Sequence, residues 1–166
     1  MLRNSTTLSK GLLAVIKSST LFCLLAIGSA GVASAQYCNS TATSTFDSNI
    51  GLVQLNTINN STLGVCDSYS NFTSQSTNLT IGSNYSITVT AGTCGGNYTK
   101  YGKAFVDWNH DFDFVDPGEE IANFGPAPAT NTFTIPFSVP FAALLGNARL
   151  RVVVVETGSL GSVTSC

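Results

Sequence analysis

The stretch Ala104-Phe105-Val106-Asp107-Trp108-Asn109-His110-Asp111-Phe112-Asp113-Phe114-Val115-Asp116-Pro117-Gly118-Glu119-Glu120 decides how the chain is read. Its first part alternates, with Ala104, Val106 and Trp108 on one side and Phe105 and Asp107 on the other, the period of two expected of a strand. Its second part is a carboxylate-lined loop. Asp107, Asn109, Asp111 and Asp113 recur at every second position, and Pro117-Gly118 supplies a turn before Glu119. A loop that curls after the strand turns these oxygens toward one point, and Glu119 can close the shell with both of its own. Hard cations such as calcium take roughly six to eight such oxygen ligands, so Asp107, Asn109, Asp111, Asp113 and Glu119 are the expected ligands of a calcium ion.

The EF-hand loop offers ligands at alternate positions, a glycine at its sixth and a bidentate glutamate at its twelfth. Counted from Asp107, the first four alternate positions match, but the sixth is Phe112 and Glu119 falls at the thirteenth. No helical pattern flanks the loop, so it is an Asp-x-Asn-x-Asp loop of another kind. The plainer reading is an acidic surface turn between two strands, its carboxylates tolerated by solvation.

Outward from this loop the chain is weakly charged. Of 166 residues 43% are hydrophobic and 10% charged, with a pI near 5.1. The first 35 residues read as a secretory signal peptide: Arg3, Lys10 and Lys17 form a basic region, Thr20 to Ile27 an apolar run, and Ala33-Ser34-Ala35 a small-residue cleavage site. Lys17 interrupts the apolar region, and the run beyond it is too short for the roughly 20 residues of a membrane span. Gln36 to Cys166 then makes one domain, secreted and with no membrane span. It retains Lys100, Lys103, Arg149 and Arg151 against nine acidic residues, and six of the nine lie between Asp107 and Glu120. That balance argues against nucleic acid and for a cation as local partner.

Cys38, Cys66, Cys94 and Cys166 remain after cleavage, and an even count in an exported chain reads as two disulfides. Three pairings are possible. Preference falls on Cys66 with Cys94 and on Cys38 with Cys166, the latter tying the ends of the domain together. Zinc is disfavoured, because no Cys-x-x-Cys occurs and His110 stands alone.

The rest of the chain carries period-two patterning and turn chemistry, which predicts an all-β domain. Val53 and Leu55 alternate, flanked by Ile50 and Ile58, with a turn expected at Asn59-Asn60-Ser61. Leu79 and Ile81 lead to a turn at Gly82-Ser83-Asn84. Tyr85, Ile87 and Val89 share one face of a strand, as do Phe133, Ile135, Phe137 and Val139, where Pro136 marks an edge or bulge. Leu150, Val152 and Val154 face the core in a last strand, and Phe141 to Leu145 reads as a turn. Six to eight short strands with one buried face fit a two-sheet antiparallel β-sandwich, jelly-roll or immunoglobulin-like.

Tyr37-Cys38, Ile50 with Val53, Ile58-Asn59-Asn60-Ser61, Tyr69 to Thr73, Val106-Asp107-Trp108-Asn109 through Asp113-Phe114 to Gly118-Glu119, and Arg149-Leu150-Arg151-Val152 together resemble the GEVED domain. The resemblance implies an extracellular β-sandwich module of secreted and cell-surface bacterial proteins, with an adhesion or accessory binding role. It also implies an acidic segment after the final cysteine, so residues 36–166 are read as C-terminally incomplete, and a glycine where this chain has Phe112.

The sequence gives little support to catalysis. No Gly-x-Ser-x-Gly, His-Glu-x-x-His or phosphate-cradling glycine loop occurs, and His110 is expected to be an exposed side chain between ligand positions. Carboxylates spaced along one loop chelate more readily than they straddle a glycosidic bond. The expected function is therefore that of a non-catalytic calcium-stabilised module whose partner is a cell-surface or matrix glycan or protein. The alternatives are a carbohydrate-binding module using Tyr98 and Tyr101, and a hydrolase. Trp108 suits the core better than a sugar site, and Arg149 and Arg151 are expected to pair with acids or cover a sheet face.

Overall fold

The computed structural model describes residues 36–62 and 65–166, so the signal peptide read at 1–35 lies outside the described residues. Seven strands occur in chain order: β1 Ser48–Leu55, β2 Ile58–Ser61, β3 Asn84–Thr93, β4 Lys100–Val106, β5 Glu120–Ala127, β6 Asn131–Ser138 and β7 Leu150–Glu156. All pairings are antiparallel. They make a four-stranded sheet in the order β2-β1-β3-β6 and a three-stranded sheet in the order β5-β4-β7. The only helical element among the described residues is the 3-10 turn Leu160–Ser162. The chain is a two-sheet β-sandwich.

The alternation seen in the sequence becomes the core. Val53 and Leu55 of β1, Ile87 and Val89 of β3 and Phe137 of β6 pack against Ala104 and Val106 of β4 and Ala122 and Phe124 of β5. Leu150, Val152 and Val154 of β7 are half-buried against that cluster. β6, which carries Pro136, is an edge strand, where a residue without an N–H is tolerated.

One local expectation is corrected. Asn59-Asn60-Ser61 is not a turn but most of β2, and the hairpin reverses at Asn56-Thr57. Asn56 has φ 51°, a left-handed conformation that asparagine enters more easily than most residues. Leu79 and Ile81 pack on the core without forming a strand. β5 has no clear sequence signal, because Gly125-Pro126 and two register shifts against β4 break its alternation. Phe141 to Leu145 is a turn, as expected.

Close approach fixes Gly102 at the centre of β4. A Cβ there would lie 2.2 Å from Cζ of Phe124 and 2.7 Å from the Val153 carbonyl oxygen. The Phe124 ring in turn meets Phe133 of the other sheet at 5.4 Å. Gly102→Ala is therefore expected to cost about 1–3 kcal/mol through overpacking, read as a lowered urea midpoint at unchanged slope.

Cys38 pairs with Cys166 and Cys66 with Cys94, the preferred arrangement. The first bond carries the N-terminal residues across the outer face of the three-stranded sheet. There Tyr37 stacks on Phe114 at 5.0 Å, and Phe114 meets Phe105 of β4 at 6.0 Å. Phe105 and Asp107, on the face of β4 away from the sandwich core, are buried by this third layer.

Candidate metal centre

β4 ends at Val106 and delivers Asp107 to the rim of the sheet. Both neighbours hold this end: Val106 N donates to the Glu119 carbonyl at 2.9 Å, and Asp107 N to the Arg149 carbonyl at 3.1 Å. The Asp107 carboxylate is fully buried. It accepts the Tyr37 hydroxyl at 2.5 Å, His110 N at 2.6 Å and Phe112 N at 3.1 Å. These bonds wind the chain into a coil in which His110 and Phe112 have φ 61° and 73°. A left-handed conformation is costly for such residues, which explains why a glycine is expected at 112. Phe112 makes the turn nonetheless, held by its N–H bond to Asp107 and by its ring against Tyr37 at 5.5 Å.

The spacing of two has a second physical meaning. Asp111 N donates to Asn109 Oδ1, Asp113 N to Asp111 Oδ1 and Val115 N to Asp113 Oδ1, at 3.2, 3.1 and 2.9 Å. Each side chain caps the N–H two residues on, a run of Asx turns; Asp111 and Asp113 keep a second carboxylate oxygen, whereas the single oxygen of Asn109 is the one that caps Asp111 N. The loop closes through Asp116-Pro117-Gly118-Glu119, where Glu119 N reaches the Asp116 carbonyl at 3.1 Å and Gly118 has φ 92°. Proline at the second position and glycine at the third suit a type II turn. This turn returns Glu119 to the strand end, where Oε1 accepts Trp108 N at 3.1 Å and Oε2 accepts Asp116 N at 3.3 Å.

Two acidic groups result. Oxygens of Asp107, Asp111 and Glu119 lie within 4.8 Å of one another, as do those of Asp111, Asp113 and Asp116. Asp111 belongs to both. The Asn109 amide nitrogen bridges Asp111 Oδ2 at 2.9 Å and Asp116 Oδ2 at 2.7 Å, so positive hydrogen density already sits between two carboxylates. Asp116 carries no ligand signal in the spacing, since only the Pro117-Gly118 turn brings it back toward Asp111. The donor set is all oxygen, carboxylate and amide, as a hard cation requires.

Glu119 and Asp111 respond to the loop in opposite directions. Burial pushes the Glu119 carboxyl above its usual range, and the neighbouring Asp107 and Asp111 add to this, against the opposing bonds from Asp116 N and Trp108 N. Burial and the bond to Asp107 likewise raise the Tyr37 phenol. Asp111 goes the other way: burial opposes its charge, but the Asn109 amide and the Asp113 N–H hold its carboxyl below the usual range. For Glu119 the folded pKa lies above the unfolded one. Its contribution to stability is fully present below the unfolded value and is lost as pH rises through the folded value. In chelator, the Glu119→Gln variant is thus expected to lose less stability than the parent chain between about pH 4 and 7, measured by urea unfolding across that range.

The other expected site residues take varied places. Trp108 is buried in the core and its Nε1 donates to the Gly118 carbonyl at 3.2 Å. His110 is not a freely exposed side chain: it is half-buried, and its Nε2 is buried without a hydrogen-bond partner. Among the described residues the ion pair is Lys103 with Glu120, so neither arginine pairs with an acid, but Arg151 covers the outer face of its sheet, with its guanidinium 4.7 Å over the Phe114 ring. Arg151 also donates to the carbonyls of Ser165 and Cys38 at 2.7 and 2.9 Å, joining the two ends of the domain beside their disulfide. Tyr98 is exposed and Tyr101 half-buried, and their rings make no aromatic contact with each other among the described residues.

Fold and site together define a disulfide-tied β-sandwich with an acidic loop at the end of its central strand. Residues 101–166 match the family model of the GEVED domain. The match begins inside β4 and takes in the whole loop, β5, β6 and β7, while the resemblance carried by Tyr37 to Thr73 lies outside it. Comparison with curated proteins and with solved structures gives no match.

Proposed function

We propose that this domain is a secreted, non-catalytic binding module whose acidic loop holds one calcium ion, and that it serves adhesion or an accessory binding role at the cell surface or matrix. The observation that carries the calcium reading is the convergence of Asp107, Asp111 and Glu119, two of them buried, within 4.8 Å of one another. Buried carboxylates this close repel each other unless a cation or proton compensates. Asp113 and Asp116, grouped with Asp111, supply further carboxylate oxygens, while the Asn109 amide ties Asp111 to Asp116. The ion's role is structural: it neutralises the loop that locks β4 to β5 and seats Tyr37 over the sheet. Export is supported by the two disulfides, which belong to an oxidising compartment, and by the match to the GEVED domain. Among the described residues, no helix is long and apolar enough to cross a membrane.

A non-catalytic role is favoured because the carboxylates spend their hydrogen bonds on their own loop and on Tyr37. The test is thermal. With a calcium Kd of about 0.1–1 mM, raising calcium to about 100-fold over Kd adds about 2.7 kcal/mol. The midpoint is then expected to rise by several degrees over chelator, and Asp111→Asn is expected to abolish most of the rise. An identical midpoint in calcium and chelator would retire the ion.

A further inference from the structure

We infer that Arg149 anchors a carboxylate-bearing saccharide, a uronic acid, in a cavity between the N-terminal residues and the start of β7. This rests on the accessory-binding reading above but not on its calcium ion. Four cations belong to the described part of the chain, and three of them have hydrogen-bond or ion-pair partners. Lys100 is fully buried and donates to Thr93 Oγ1 at 3.1 Å. Lys103 pairs with Glu120 at 2.8 Å. Arg151 is spent on Cys38 and Ser165. Arg149 lies 5.2 Å from the centre of the Tyr37 ring, and no described residue hydrogen-bonds its guanidinium. Its planar fork of donors, the geometry that takes a carboxylate bidentately, borders a cavity of about 530 Å³.

The walls say which carboxylate. Asn39 and Ser40 border the cavity beside Tyr37, Tyr69 and the two arginines, and no aliphatic side chain lines it. Walls of this kind offer hydroxyl, amide and aromatic partners that suit a polyhydroxylated ring better than a peptide with apolar side chains. A pyranose ring brings hydroxyls for Asn39, Ser40 and the Tyr69 phenol, and a C–H face for an aromatic ring. One face of Tyr37 is covered by Phe114 and Arg149 lies over its ring. Tyr69, half exposed, is the ring left to meet a sugar. The cavity volume falls within the range of small-ligand sites, enough for one or two sugar units. In a chain with excess acid, a guanidinium here that rests on the Tyr37 ring and keeps its N–H donors unspent is the local attraction for an anion.

The experiment is a calorimetric titration of the intact protein with trigalacturonate, its methyl ester and hexa-aspartate, each in calcium and in chelator below the melting transition. The free acid is expected to bind in both buffers, with the ester at least tenfold weaker. Arg149→Met is expected to weaken the acid at least tenfold and Tyr69→Ala several-fold, while Arg149→Lys, which keeps the charge but not the fork, falls between. The proposal is overturned by no binding of the acid, by equal binding of acid and ester, by hexa-aspartate binding as tightly, or by an unchanged Arg149→Met variant. Binding that vanishes in chelator would place the sugar on the ion and overturn it as well. Failure of the sugar in every arm leaves the calcium-dependent midpoint untouched, so the two readings fail separately.

Discussion

Replacing Cys38 and Cys166 with serine is expected to lower stability by about 5 kcal/mol, the largest single effect in the molecule. The bond closes a loop with a sequence separation of 128, and on the chain-entropy account the constraint on the unfolded chain grows with loop length, reaching about 4.7 kcal/mol at a hundred residues. The loss extends beyond entropy. Arg151 bonds the Cys38 and Ser165 carbonyls, and Tyr37, next to Cys38, covers Phe114 and bonds Asp107. Freed ends would leave a desolvated guanidinium and a buried carboxylate short of partners. Breaking Cys66–Cys94, with a separation of 28, is expected to cost less, about 3–4 kcal/mol. Urea unfolding of both double variants gives the comparison; equal costs would show that chain entropy does not govern the difference.

Asp107→Ala is the second large effect, a loss of about 3–5 kcal/mol even in chelator. The carboxylate is fully buried and accepts three hydrogen bonds, and bonds to a charged group contribute more than neutral ones, about 1.5–3 kcal/mol. Its removal orphans the two N–H groups that hold His110 and Phe112 in left-handed conformations, so the coil loses its reason to form. In calcium the cost is expected to be larger, because the ion's contribution goes with its ligand. A loss below about 1 kcal/mol in chelator would mean that the loop's shape does not depend on this residue.

The strands that could be read from sequence are those with one clean buried face, such as Tyr85, Ile87 and Val89, and Ala104, Val106 and Trp108. β5 could not, because Ile121 and Ala122 are both buried in succession and its pairing with β4 is bulged. β2 was hidden by its asparagines, which favour turns as isolated dipeptides but here pair across to Gln54 and Val53. The loop's candidate ligands were legible because spacing of two is visible in the chain itself. Asp116 was not, since its place depends on the turn that comes after it. Tyr37, separated by 70 residues from the carboxylate it bonds, carried no local signal of that contact, and neither did the fate of Arg149 and Arg151, which depends on where the termini fold.

Trp108 is the sole tryptophan of the chain and stands next to Asp107, with its N–H on Glu119. Terbium, an oxygen-seeking ion that substitutes for calcium, is therefore the most direct probe of the loop. On excitation of Trp108, bound terbium is expected to emit by energy transfer, and calcium is expected to displace it with a midpoint set by a Kd of about 0.1–1 mM. Asp111→Asn should weaken both. No sensitised emission from the folded protein, or emission that calcium cannot displace, would contradict a calcium ion held at the end of β4.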